Sequence, residues 1–288
     1  MALKDMVDGT SSGKPDKEKT DWVGEFKSIS LLVLAVLAFH SLIAKPFYIP
    51  SVSMMPGLLV GDRLIVSKYP YGWSWVSPTF HILPRMDGRL FGSLPERGDI
   101  VILTPKDQSS DYIKRVIGLP GDTFEMRGGQ VFLNNKAVPQ EVQPELVVPI
   151  DGNNPCDDHE LSALRDVDSS GNPACRLPIL KETLPNGVSY NIMDLGNRPY
   201  VDNVAPVKIP EGHVYLLGDN RDQSADSRVP SPDGLDGTIP WENIGGRAEF
   251  ITFSLDGSTS LNPLSWFGAF RSGRAGTSLR PDKVEAEE

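Results

Sequence analysis

The chain has 288 residues, of which 39% are apolar and 23% charged, so it is not a wholly disordered protein. Its net charge of −10 argues against nucleic acid as a partner. With 25 Pro and 27 Gly, the composition favours short strands and turns over long helices.

The first predicted element is an apolar run at residues 28–44, SISLLVLAVLAFHSLIA, between Lys27 and Lys45. Its length is that of a short transmembrane helix. The alternative is a cleaved signal peptide, but no convincing cleavage site follows the run. We therefore predict a retained membrane anchor in contact with lipid. Lysines are concentrated before it, which predicts a cytoplasmic, disordered tail at 1–27 and an exported remainder.

The exported part alternates apolar runs with turn residues, a pattern typical of β-strands. The runs are LIVSKYPYG, DIVILTP, YIKRVIGLPGD, GQVFLNNKAV, HVYLLGD and AEFITFS. They predict an all-β domain with an irregular, proline-rich insertion at about 127–207. Near the C-terminus, SWFGAFRSGR is expected either to touch the membrane surface or to pack on the domain, and RPDKVEAEE is expected to form a solvated tail.

The two cysteines, Cys156 and Cys175, both fall in the exported insertion. An oxidising compartment favours a disulfide between them. Cys156 and His159 resemble half of a zinc site, but structural zinc usually needs four ligands, so we expect no metal. The sequence also has no phosphate-binding, dinucleotide-binding or zinc-protease motif, and we expect no cofactor.

The segment YIPSVSMMPG places two serines, Ser51 and Ser53, on a proline-stiffened turn. A serine nucleophile needs a base, and the histidines are poorly placed, since His40 lies in the span and His213 opens a strand. His81 and His159 lie in loop-like insertions. A neutral lysine is the other option.

Lys114 lies within the apolar run DYIKRVIGLPGD, where loss of hydration would lower its pKa. A lysine on a solvent-facing strand is the alternative interpretation of this residue.

Four segments together resemble the signature boxes of the bacterial type I signal peptidase (leader peptidase) family. In chain order they are PSVSMMPGLLVGD, RGDIV, DYIKRVIGLPGD and GDNRDQSADSR. Two positions depart from the family pattern: Gly57 stands where Thr is frequent, and Gln223 where Asn is frequent. Neither position carries the chemistry.

The resemblance implies a mainly β, inner-membrane serine endopeptidase that removes signal peptides from exported preproteins through an acyl-enzyme. Its catalytic domain would face the periplasm, with the translocation machinery as a further candidate partner. A specialised processing peptidase of the same family is the alternative, and an anchored β-domain that only binds partners is a third.

The family layout also implies a division of the chain. A catalytic β-core would comprise residues 45–126 and 208–256, with an inserted second β-domain at 127–207 and a C-terminal segment at 257–288.

By the same resemblance, Ser53 is the nucleophile and Lys114 the general base. The Ser51 hydroxyl would join the Ser53 backbone N–H in an oxyanion hole. The remaining implied residues are Ser224 and Asp226, which would orient the lysine; Arg115, Asp219 and Arg228 in ion pairs; Ile49, Pro50, Met54, Leu58, Tyr112 and Ile113 around a pocket for a small side chain; and Phe47, Leu64 and Val101 around its neighbour.

Overall fold

A computed structural model of the chain describes residues 21–80, 83–105, 110–158 and 160–283. Most of the predicted tail at 1–27 lies outside these residues, as do His81 and His159. The predicted mainly β fold is confirmed. The helices are α1 Trp22–Leu42 and α2 Pro199–Asp202; the strands are β1 Ala44–Tyr48, β2 Asp62–Ser67, β3 Ile100–Leu103, β4 Tyr112–Gly118, β5 Thr123–Arg127, β6 Gln130–Leu133, β7 Lys136–Ala137, β8 Gln140–Pro149, β9 Arg165–Val167, β10 Pro173–Thr183, β11 Val188–Met193, β12 Val204–Lys208, β13 His213–Leu217, β14 Ile239–Pro240, β15 Ile244–Ser254 and β16 Asp282–Lys283.

Helix α1 is long and apolar enough to cross a membrane, and none of its residues is buried. It begins six residues before the predicted span because Asp21 caps it, accepting the Gly24 N–H at 3.0 Å. It ends at Leu42, two residues earlier than predicted. Pro46 disfavours helical geometry at the residue before it, and the chain continues as β1.

A seven-stranded sheet has the order β1-β2-β15-β3-β4-β13-β14. It contains β4, which carries Lys114, and the strands β1 and β2, which flank the loop that carries Ser53. Along β3 the side chains alternate between two apolar clusters. Ile100 and Ile102 join one cluster, whereas Val101 and Leu103 join the other. Strand β4 pairs with β3 on one edge and β13 on the other, and every residue after Tyr112 in it is buried, so both of its faces are covered.

The predicted irregularity of the insertion is wrong, because β8 to β11 form a second sheet with β16 in the order β16-β11-β10-β8, and β9 also pairs with β10. Prolines interrupt the sequence pattern of the long strands β8 and β10, so these strands are not evident from the sequence. Pro144 and Pro178 lie where the register of this pair shifts, between Leu177 and Ile179. A residue without an N–H is tolerated at such a break in the hydrogen-bond ladder.

The remaining strands form a four-stranded sheet in the order β12-β5-β6-β7. It joins the main sheet through Phe124, whose ring stacks on that of Tyr215 with centroids 4.0 Å apart. The predicted solvated tail wrongly includes Asp282 and Lys283, because these residues pair with β11 through their backbones. Leu279 is buried in the same cluster as Ile100, which brings the chain end to the domain.

Candidate active site

The two candidate serines lie on a closed loop between β1 and β2, residues 49–62, which we call the serine turn. Its ends are joined by hydrogen bonds from Ile49 N to Asp62 O (2.9 Å) and from Gly61 N to Ile49 O (3.0 Å). The Asp62 carboxylate also accepts the Leu59 N–H at 2.8 Å. Met54 is fully buried, so the residue after Ser53 is fixed in the core. The turn is therefore held at both ends and in its middle.

Lys114 and Ser53 meet although 61 positions separate them in the chain. The Lys114 ammonium nitrogen lies 3.0 Å from Ser53 Oγ. Both side chains are buried: Lys114 is 2% exposed and Ser53 7%. Burial lowers the pKa of Lys114 to about 8, against the opposing pull of Asp226 and Asp219. This pairing gives the serine an adjacent base that is partly neutral near physiological pH.

Ser51 lies on the exposed side of Ser53. Its Oγ is 3.3 Å from Ser53 Oγ, and its side chain faces solvent. A hydroxyl in this position is available to a group that approaches Ser53 from outside.

Asp226 and Arg228 form a fully buried ion pair at 2.8 Å behind the lysine. Burial by itself would raise the pKa of Asp226, but Arg228 and the N–H of Gly218 hold it below its ordinary value. The carboxylate therefore stays charged. Its attraction favours the charged form of Lys114, while Arg228 opposes it.

Ser224 is buried next to the serine turn, but its hydroxyl has no hydrogen-bond partner among the described residues. Its predicted role in orienting Lys114 is thus not accompanied by a contact in this structure. Gly218 allows the close approach: a Cβ there would lie 2.1 Å from Ser224 Oγ and 2.5 Å from Ser53 O. Only a residue without a side chain fits at this position.

Arg115, the neighbour of Lys114 on β4, points to the opposite face of the strand. Its guanidinium donates two hydrogen bonds to the Asp219 carboxylate, at 2.7 and 2.6 Å. Both side chains are almost completely buried. This bidentate pair attaches the segment after β13 to β4.

The predicted pocket residues divide between two clusters of the main sheet. Ile49, Met54, Leu58, Leu64 and Ile113 share one cluster, with Phe47 packed against it. Val101 belongs to the other, with Tyr112 packed against it, and Pro50 is exposed. The lining of a substrate pocket by these residues stays a prediction.

Two arginines missed by sequence reasoning brace the serine turn from the C-terminal segment. Arg271 donates to Val60 O at 2.8 Å, and Arg274 donates to Gly57 O at 3.0 Å. Arg274 also pairs with Asp62. Both arginines were visible in SWFGAFRSGR, but no spacing in the sequence relates them to a turn more than 200 residues away.

The Cys156 and Cys175 side chains form a disulfide, with Cα atoms 6.1 Å apart. Both sulfurs lie in an apolar cluster that includes Met55 and Leu59 of the serine turn. Among residues described by the structure, no group of acidic, histidine or cysteine side chains is arranged to hold a metal ion.

Comparison with known proteins places this arrangement in a family. The family model described as "Signal peptidase, peptidase S26" matches residues 21–253, a range that contains the serine turn, β4 and the segment 218–228. The chain belongs to this signal peptidase family. It is therefore a peptidase, as the sequence resemblance predicted.

Individual relatives agree with this assignment. Signal peptidase I of Rickettsia typhi is 34% identical over 255 residues, which cover 86% of this chain and 84% of that protein. Signal peptidase I of Rickettsia canadensis is 35% identical over 238 residues, or 80% of this chain and 79% of the relative. A crystal structure of signal peptidase I from Enterococcus faecalis V583 matches 54% of this chain and 97% of its own, with 23% identity and a TM-score of 0.27.

Proposed function

We propose that this family member cleaves signal peptides from exported preproteins, with Ser53 as the nucleophile and Lys114 as the general base. The observation that carries the proposal is the 3.0 Å contact between Lys114 Nζ and Ser53 Oγ. The pKa of about 8 supports it, because a lysine with its ordinary pKa would be almost fully charged at neutral pH.

In this mechanism Ser53 Oγ attacks the carbonyl carbon of the scissile bond, and its proton passes to Lys114 Nζ. The C–N bond then breaks, and Lys114 returns the proton to the leaving amine. Water, deprotonated by the same lysine, then attacks the acyl carbon; the C–O bond to Ser53 breaks, and Lys114 returns the proton to Ser53 Oγ. The Ser51 hydroxyl and the Ser53 backbone N–H would donate hydrogen bonds to the oxyanion.

The same proposal includes a membrane-anchored enzyme. Helix α1, with 21 residues, is about 31 Å long at 1.5 Å per residue, which matches the bilayer core. The lysines that precede it favour a cytoplasmic N-terminus, with the catalytic domain on the periplasmic face of the inner membrane. Ser53 follows the helix by only eleven positions, so cleavage would occur close to lipid and to the translocation machinery.

The test is preprotein cleavage by detergent-solubilised enzyme, with the cut located by mass spectrometry. Ser53→Ala and Lys114→Ala should each abolish cleavage, and the double variant should be no worse than either, because the two groups act as one unit. Ser170→Ala and Lys136→Ala alter exposed residues and serve as controls. Cleavage by a folded Ser53→Ala protein at the unmodified rate would contradict the proposal.

A further inference from the structure

Asn220 holds the peptide groups on both sides of Ser53. Its backbone N–H donates to Ser53 O at 3.1 Å, and its side-chain Nδ2 donates to Val52 O at 3.2 Å. Asn220 is completely buried. A displacement of this residue would therefore move the Ser53 backbone.

Gln223 in turn holds Asn220 by a reciprocal pair of hydrogen bonds. The Gln223 backbone N–H donates to Asn220 Oδ1 at 3.2 Å, and Asn220 Nδ2 donates to Gln223 Oε1 at 3.0 Å. The Gln223 amide nitrogen then donates to Asp158 Oδ2 and Glu160 Oε2, both at 3.0 Å. The four N–H bonds of the two carboxamides thus all have acceptors.

The two carboxylates determine which way the Gln223 amide points. Rotating it by 180° would place its oxygen against Asp158 and Glu160, with no hydrogen to share. The observed orientation is the one that directs Oε1 at Asn220.

The acceptors are themselves anchored. Asp158 Oδ1 accepts the backbone N–H groups of Glu160 (3.1 Å) and Leu161 (2.7 Å), and Glu160 pairs with Arg198. The disulfide attaches this loop to Cys175 on β10. A path that combines the disulfide with hydrogen bonds therefore runs from the second sheet to Ser53.

We propose that Gln223 is a positioning residue for Ser53, oriented by Asp158 and Glu160 and acting through Asn220. The inference rests on the proposed role of Ser53. Loss of the amide would remove neither Ser53 nor Lys114 but would relax the alignment of Ser53 Oγ with Lys114 Nζ. Misplacement of reacting groups by about 1 Å costs up to 10²-fold in rate.

The decisive variant is Gln223→Glu, which keeps the shape but sets a third carboxylate against two others. It should lower kcat by about 10- to 100-fold with little change in KM. Gln143→Glu makes the same exchange on β8, where the amide lies 3.5 Å from the Glu141 carbonyl oxygen, and should leave kcat unchanged. If Gln223→Glu fails to fold, Gln223→Met tests the same loss without added charge.

A rescue separates positioning from general destabilisation. Combining Gln223→Glu with Asp158→Asn and Glu160→Gln supplies two amides that donate to the new carboxylate, and most of the lost kcat should return. An unchanged kcat in folded Gln223→Glu overturns the inference, as does a loss that follows the melting temperature and is not rescued.

Ser53→Ala in the same assay separates a failure of the proposed function from a failure of the positioning role alone. If Ser53→Ala retains activity, the proposed function fails, whatever Gln223→Glu does. If Ser53→Ala is inactive while Gln223→Glu is unaffected, only the positioning role fails.

Discussion

At the scale of single residues, the proposed chemistry depends on an uncharged Lys114. With its ordinary pKa of 10.5, about 0.03% of the lysine would be neutral at pH 7, whereas a pKa of about 8 leaves roughly 10% neutral. Burial outweighs the two carboxylates, Asp226 and Asp219, that favour the charged form. In the proposed mechanism, the apolar surroundings of β4 therefore contribute to reactivity as well as to packing.

The activity should consequently rise with pH. Because the neutral lysine is the active form, kcat/KM should increase about tenfold per pH unit well below the pKa and level off above about 8. Initial rates on a peptide substrate between pH 5 and 10 measure this profile. An inflection near 6.5 would indicate a histidine base instead.

At the scale of elements, a buried ion pair joins the segment after β13 to the second sheet. Arg221, in the segment that carries Asn220, pairs with Glu182 on β10, and both are at most 1% exposed. Tyr190 and Gln140 complete the set, donating to the Glu182 carboxylate at 2.6 and 3.1 Å. Burial would raise the pKa of Glu182, but Arg221 holds it below its ordinary value, so the pair stays charged.

Glu182→Gln should be strongly destabilising, because it leaves the Arg221 charge buried without a counter-charge. We expect a loss of about 3–5 kcal/mol in the free energy of unfolding, measured by urea titration. Asp166→Asn removes one partner of the exposed pair with Arg176 and is the matched control; it should leave the unfolding free energy nearly unchanged. Equal losses of unfolding free energy in the two variants would show that burial does not determine how much each ion pair contributes to stability.

At the scale of the whole molecule, the described residues up to Leu37 form one compact unit and the described residues from Ala38 onward form another. The boundary between the units falls inside helix α1 and inside the predicted membrane span at 28–44. Strand β1 follows the helix directly, yet it pairs along its full length with β2, placing Phe47 opposite the buried Leu64. Strand β1 therefore belongs to the unit that contains Ser53 and Lys114.

Truncation should reveal this boundary. A chain that starts at Ile43 keeps β1 and the hydrogen bond from Lys68 N to Ile43 O, and it should still cleave a short peptide in detergent. A chain that starts at Ile49 loses β1, exposes the edge of β2 and should lose most of its activity and unfold at lower urea. Equal activity of the two truncated chains would place β1 outside the catalytic unit.

The sequence by itself determined the features that depend on local pattern. A continuous apolar run predicted a membrane helix, and β2, β3, β4 and β13 were evident because each is short, apolar and bounded by turn residues. Of the longer β15, the run AEFITFS indicated the C-terminal part. The four boxes, read in order, predicted the family. Local periodicity failed where prolines interrupt β8 and β10 and where β16 has almost no length of its own.

Only the tertiary structure decided how distant residues meet. Asp158 and Glu160 reach Gln223 across more than 60 positions, and Arg274 reaches the serine turn across more than 200. Such contacts leave no periodic trace, because they depend on how loops from different sheets pack. The same holds for Lys114: the sequence places Ile113 and Val116 near it but also Arg115, and its lowered pKa comes from the burial that the folded domain produces.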